Sequence, residues 1–262
     1  MNLAQVARIL SGFVLFFSLY QAIPFTVAIF EARRDGIDAV AGFGAAMGIG
    51  GIVALLLFLA GRGGTQTDFF RKEGLAAVAF AWVMAAALGA IPFVWSGSVP
   101  SAADAFFETT SGLTTTGASV FGSGEAYKNV EDLTKSLLLW RSLLHFLGGL
   151  GIVLMFLVFL PAMGITGKNL LQGEQTGVAR ERLTPRLREQ ARGLLAVYLG
   201  LIALQTCLLA LFQMPWFDAF CHACATVGTG GFSTRNFSIG DYQSLPIELV
   251  CTTFSFLGSL NF

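Results

Sequence analysis

Charge is what this chain has least of. Lys and Arg number 16 and Asp and Glu another 16 among 262 residues, 12% in all, against roughly 25% in soluble domains. So little polar surface cannot coat a water-facing globule. With 55% hydrophobic residues and a mean hydropathy of +0.70, the chain reads as an integral membrane protein. Histidine is scarcer still. His145 and His222 are the only two, and they fall on separate segments. With no phosphate-binding glycine loop either, the sequence points away from an enzyme and from a nucleic-acid partner. The four cysteines (Cys207, Cys221, Cys224, Cys251) show no framework spacing. Cys221-His222-Ala223-Cys224 resembles half a metal site, but a structural zinc centre takes about four ligands, and small residues packing a short helix account for the run.

What the chain has is long apolar runs. Six are long enough to cross a bilayer: 6–30, 40–60, 75–95, 136–161, 193–212 and 245–262. The first is too long for the apolar core of a cleaved signal, and no small-x-small site follows it. Two shorter runs, 104–113 and 218–225, cannot span and read as re-entrant segments, tolerated only where buried in protein or lining water. With the N-terminus inside, ten of the sixteen basic residues and five of the sixteen acidic ones fall on the cytoplasmic side, a balance of +5 inside and −5 outside. This satisfies the positive-inside rule and places both re-entrant segments outside, where a negative vestibule would concentrate cations.

The sequence repeats itself. Each short run opens on the same tripeptide, Asp104-Ala105-Phe106 and Asp218-Ala219-Phe220, and each leads into a small, uncharged tract. The tracts are Thr114-Thr115-Thr116-Gly117-Ala118 and Thr226-Val227-Gly228-Thr229-Gly230-Gly231. Membrane helix, pore helix, tract, membrane helix therefore occurs twice, with 6–30 and 40–60 outside the repeat. The aspartates sit where N-caps are wanted. From the aspartate to the tract glycine is thirteen positions in the first unit, and ten or twelve in the second as Gly228 or Gly230 is matched. Backbone carbonyls can be aimed at a dehydrated cation only where side chains are small and backbone angles permissive, and a pore helix ending at mid-membrane turns its partial negative charge towards that cation. No carboxylate lies in either tract, which argues against a calcium-type ring. The tracts read as parts of an ion selectivity filter.

From Phe107-Glu108-Thr109-Thr110-Ser111-Gly112-Leu113 through the first tract, the chain resembles the first filter region of the TrkH/KtrB potassium-uptake family. The run Trp140-Arg141-Ser142-Leu143-Leu144-His145-Phe146-Leu147-Gly148-Gly149-Leu150-Gly151-Ile152 is similar to that family's next helix, and 220–236 to its second filter region. Two additional N-terminal helices favour the TrkH branch. The resemblance implies an all-α membrane fold: an N-terminal helical pair (1–62), a first membrane-pore-membrane repeat (63–165), a basic cytoplasmic loop (166–192) and a second, shortened repeat (193–262). It implies potassium bound at Thr115, Thr116 and Gly117 and at Gly228, Thr229 and Gly230, with Thr114, Glu108, Arg141 and Gly231 in support. Potassium is then substrate, with no bound cofactor. Family members carry four such repeats, so two cannot close the ring; the chain is then a piece of a pore subunit or needs a second chain. A non-conducting scaffold or regulatory half-subunit is the alternative. As partners the resemblance implies membrane lipid, a second copy of the full-length form, and a cytosolic nucleotide-binding ring of the TrkA-like kind, docked on basic residues 180–192 at the inner membrane. Ordinary positive-inside charge explains those same residues without a partner.

Two further residues stand out on the helix after the first tract. Arg141 would lie at membrane depth, where a charge needs a partner, and Glu108 behind the first tract is the candidate; a snorkelling arginine is the other reading. His145, one turn on along the same face, reads as polar packing rather than proton chemistry. Gly148, Gly149 and Gly151 suit a close approach to the pore helix.

Overall fold

The structure, a computed structural model, describes residues 2–35, 37–63, 71–162 and 179–260, and among them it is helical without strands. α1 (Leu3–Tyr20) and α2 (Ala22–Asp35) form one bent apolar rod. The bend at Gln21 follows from Pro24, which has no N–H for the Tyr20 carbonyl and whose ring crowds it; the ladder resumes at Phe25 N–H to Gln21 O, 3.1 Å. α3 (Asp38–Ala60) returns antiparallel, so that Gly61 at its end lies against Ala4 and Arg8. α4 (Arg71–Trp95), α5 (Ala102–Leu113) and α6 (Lys135–Ala162) make the first repeat, and α7 (Ala179–Leu211), α8 (Trp216–Val227) and α9 (Leu245–Ser259) the second.

Small residues let the N-terminal pair pack closely on α4. A Cβ on Gly42 would meet Pro92 Cα at 3.1 Å and Trp95 Cβ at 3.2 Å, the close approach that glycine permits between membrane helices. Trp140 of α6 then fastens the pair to the first repeat. Fully buried, it takes the rings of Phe17 (5.7 Å) and Phe43 (6.1 Å) edge-on, and its indole N–H donates to Gly89 O at 3.0 Å. Tyr20 donates to Leu143 O at 3.0 Å. Outward positions of α1 to α3, among them Phe16, Leu19, Ile52 and Leu56, are exposed and apolar, as lipid-facing surface should be.

The two ends of the bundle are distinct. Asn2, Gly61 and Glu73 gather at one, where Asn2 N–H donates to Glu73. Glu31 and Lys135 pair at 3.5 Å at the other, with Phe217 of α8 beneath the same ammonium. Both pore helices enter from this second end, the same-side placement that the charge count requires. α6 is the shared element: it packs on α4 and α5 of its own repeat and on α7 and α8 of the next.

The basic stretch before the fifth span is not loop throughout. From Ala179 the backbone is helical and continuous with the span through Leu211; residues 166–178 of the expected loop lie outside the described residues.

Candidate functional site

The site grows from two pore helices of identical design. α5 and α8 each run 12 residues, about 18 Å at 1.5 Å per residue, too short to span. Every position of one lies 114 residues from its counterpart in the other. Each helix starts two residues before the shared aspartate. The expected N-caps, Asp104 and Asp218, are instead the third residues of their helices, within the first turn, and the caps are Ser101 and Pro215. Ser101 Oγ accepts from Asp104 N–H at 3.2 Å and donates to the Asp104 carboxylate at 2.7 Å. Pro215 offers no such bond, and Asp218 is engaged elsewhere: its Oδ2 accepts from Arg235 Nη2 (3.0 Å) and the Tyr242 hydroxyl (2.9 Å). Burial pushes the Tyr242 phenol above its ordinary value, which keeps it a donor.

Past the helices, both tracts fold back in the same way. Thr114, Thr115 and Thr116 donate their N–H groups to the carbonyls of Thr110, Gly112 and Ser111 (2.8, 3.1 and 2.9 Å). Gly228, Thr229 and Gly230 do so to Cys224, Thr226 and Ala225 (3.1, 2.9 and 2.8 Å). The backbone alternates in hand, with Thr115 at φ +52° and Gly117 at +75°, Thr229 at +53° and Gly231 at +98°. Alternation turns successive N–H groups to one side and carbonyls to the other. Here three N–H groups of each tract are spent on the pore helix, and the carbonyls are the backbone polar groups that remain for a cation. A β-branched residue at positive φ is a true outlier, costing about 1–3 kcal/mol, and here it occurs at matching positions of both tracts.

These matches fix a register that the glycine run left open. Gly231, rather than Gly228 or Gly230, is the counterpart of Gly117, and Gly228 is the counterpart of Thr114. Both aspartate-to-glycine distances are thirteen positions. The tracts lie in backbone contact: a Cβ on Gly117 would fall on the Gly230 carbonyl and 3.5 Å from Gly231 Cα.

Arg141 stands behind both tracts, 2% exposed, its partner Glu108 fully buried. Its Nε donates to Glu108 Oε1 (2.8 Å), its Nη2 to Ser119 Oγ (3.0 Å), and its Nη1 to the carbonyl of Ser233, beyond the second tract (2.9 Å). The guanidinium also lies over Phe232 at 4.2 Å and Phe121 at 5.3 Å. The pairing with Glu108 is as expected; the reach to the second repeat is not visible in the sequence. Glu108 further accepts from Ser119 Oγ (3.1 Å) and Val120 N–H (3.0 Å), so its charge is fully bonded. A second tie joins the repeats at the loops, where Asn236 Oδ1 accepts from Val130 N–H at 3.0 Å and Asn236 N–H donates to Glu131 at 3.3 Å.

The second repeat replaces that ion pair by neutral chemistry. His222 occupies the position of Glu108, and Ser233 that of Ser119. His222 Nδ1 lies 2.7 Å from Asp218 O, which can only accept, so Nδ1 carries the proton and Nε2 accepts from Ser233 Oγ at 2.9 Å. The helices after the tracts also correspond. Gly148 packs its Cα against the Leu113 carbonyl, and Gly258 against the Val227 carbonyl. Seven residues before these glycines stand Arg141 and Cys251. Sequence reasoning missed Ser119, Ser233 and His222; counting from the shared tripeptide would have aligned all three with their counterparts.

The profile of the TrkH family, described as a cation transport protein, matches residues 51–262. The Trk system potassium uptake protein TrkH of Halomonas elongata is 35% identical over all of this chain and 52% of its own length. The Trk system potassium uptake protein TrkG of Escherichia coli is 34% identical over 98% of this chain and 52% of its own. The crystal structure of the potassium transporter TrkH from Vibrio parahaemolyticus superposes with a TM-score of 0.80 at 30% identity, over 100% of this chain and 51% of that one. The chain spans about half the length of the relatives it matches.

Proposed function

The chain belongs to the TrkH family of cation transport proteins, and from that membership we propose that it supplies two quadrants of a potassium-selective pore. The observation that carries the reading is the matched backbone of the two tracts. Three N–H groups of each tract are tied to the pore helix and positive φ recurs at matching positions, which leaves the carbonyls to replace a cation's hydration shell. The corrected register assigns the coordinating carbonyls to Thr115, Thr116 and Gly117 and to Thr229, Gly230 and Gly231. Thr114 and Gly228 form the turns below them, and Glu108 and Arg141 brace the first tract from behind. The pore stands in the cytoplasmic membrane with the N-terminus inside, on the strength of the charge asymmetry. A homodimer of complete subunits and a cytosolic nucleotide-binding ring at the basic end are the partners we assign.

The test is rubidium uptake by the complete pore, whether the reading frame continues past Phe262 or two copies assemble. Gly117→Ser, at φ +75°, is expected to abolish preference for potassium over sodium. Unchanged preference would remove the filter assignment. A non-conducting scaffold is a second reading, favoured by the exposure of Thr114, Thr116 and Ala118, which leaves the first tract uncovered on one side. Purified and reconstituted by itself, the chain is expected to pass no selective current; robust potassium flux would exclude the scaffold and establish a pore of two copies.

A further inference from the structure

Three glycines stand in the second tract, each for a different reason. Gly231 needs its positive φ. Gly228 packs on backbone, where a Cβ would meet the carbonyls of His145 (2.8 Å) and Cys224 (2.9 Å). Gly230 has neither excuse. Its φ is not positive, and its counterpart Thr116, with the same back-bond to the pore helix, carries a branched side chain. The backbone therefore accepts a side chain at this position. What forbids one at 230 is His145: an added Cβ would fall on Cδ2 and Nε2 of the imidazole.

His145 is itself immobilised. It is fully buried, and Phe232 meets its ring edge-on at 4.2 Å and 90°. The imidazole thus touches the residues on both sides of Gly231, whose carbonyl is among those assigned to the ion.

We infer that His145, on the inner helix of the first repeat, is a positioning residue for the second tract: its ring takes the volume that a side chain at 230 would fill, and Gly230 is glycine to admit it. The inference rests on the pore reading for its effect on ions, but not for the contact itself. The test is a cycle of Gly230→Ala, His145→Ala and the double variant in the complete pore. Two readouts are taken: thermal unfolding in detergent, and potassium and sodium competition with rubidium uptake. Gly230→Ala alone should lower the melting temperature by about 3 °C or more and cut the potassium-to-sodium preference about tenfold, through the apparent KM for potassium more than the maximal rate. In the double variant the methyl enters vacated space, and both should recover by at least about half.

Additive effects in both readouts would overturn the inference. Coupling in the melts without coupling in ion preference would also overturn it, reducing His145 to core packing. A wild-type pore that moves no rubidium would defeat the transport reading, and the difference between melts in potassium and in sodium would then decide whether the contact acts on a bound ion. Should His145→Ala not fold, His145→Val completes the same cycle.

Discussion

At the scale of single residues, the most consequential side chain is Arg141. It is a buried cation whose bonds reach a carboxylate, a hydroxyl and a carbonyl belonging to two different repeats. Breaking a buried pair by removing one partner costs about 3–5 kcal/mol, because the other charge is stranded. Arg141→Met is therefore expected to destabilise the protein severely, with the melting temperature in detergent as the measure. Arg141→Lys should recover little of the loss, since an ammonium cannot present three divergent donors in a plane, whereas Arg141→Met combined with Glu108→Gln should be milder than Arg141→Met alone. The Arg141–Glu108 pairing was legible from the sequence, because a charge at membrane depth demands a counter-charge. The bond to Ser233 was not, because nothing in the chain announces which carbonyl lies across a repeat boundary. The register of the second tract was legible and misread: glycine was matched to glycine within the run, although the distance from the shared aspartate already singled out Gly231.

Among the elements, the pore helices and the helices behind them form a tight pair in each repeat. Gly148 and Gly258 let α6 and α9 rest on the last carbonyl of α5 and α8, and overpacking at such a contact displaces backbone. Gly148→Leu is expected to push α6 off the pore helix and, because α6 also packs on α8, to disturb both tracts. Gly258→Leu should disturb only the second. Rubidium uptake with sodium competition distinguishes the two, the first variant showing the larger loss of preference. The existence and order of these elements followed from length and hydropathy alone. Their ends did not: the pore helices are capped by Ser101 and Pro215, three positions before the aspartates, and aspartate's general aptitude for the cap does not say which turn it occupies. The helical state of 179–192 was hidden because a dense run of arginine and glutamate fits an exposed helix as well as a loop.

For the molecule as a whole, the N-terminal rod and hairpin join the pore unit by packing on α4 and α6, with one indole at the centre of the α6 contact. Trp140 contacts Phe17, Phe43 and Tyr20 at once. Trp140→Ala is expected to cost about 3–5 kcal/mol, and native-state hydrogen exchange should show protection falling in α1 and α3 before it falls in α8.

The placement of α6 has a consequence for symmetry. α6 belongs to the first repeat yet forms the wall of the second tract, so the junction between neighbours is heterologous: unlike surfaces meet, and a direction of rotation is built in. Such a junction cannot be satisfied by facing two copies across a mirror-like, self-complementary patch. It repeats head to tail and ends only when the rotation closes a circle. Two surfaces next to these elements are exposed, the flank of the first tract at Thr114, Thr116 and Ala118 and the side of α9 around Ser255.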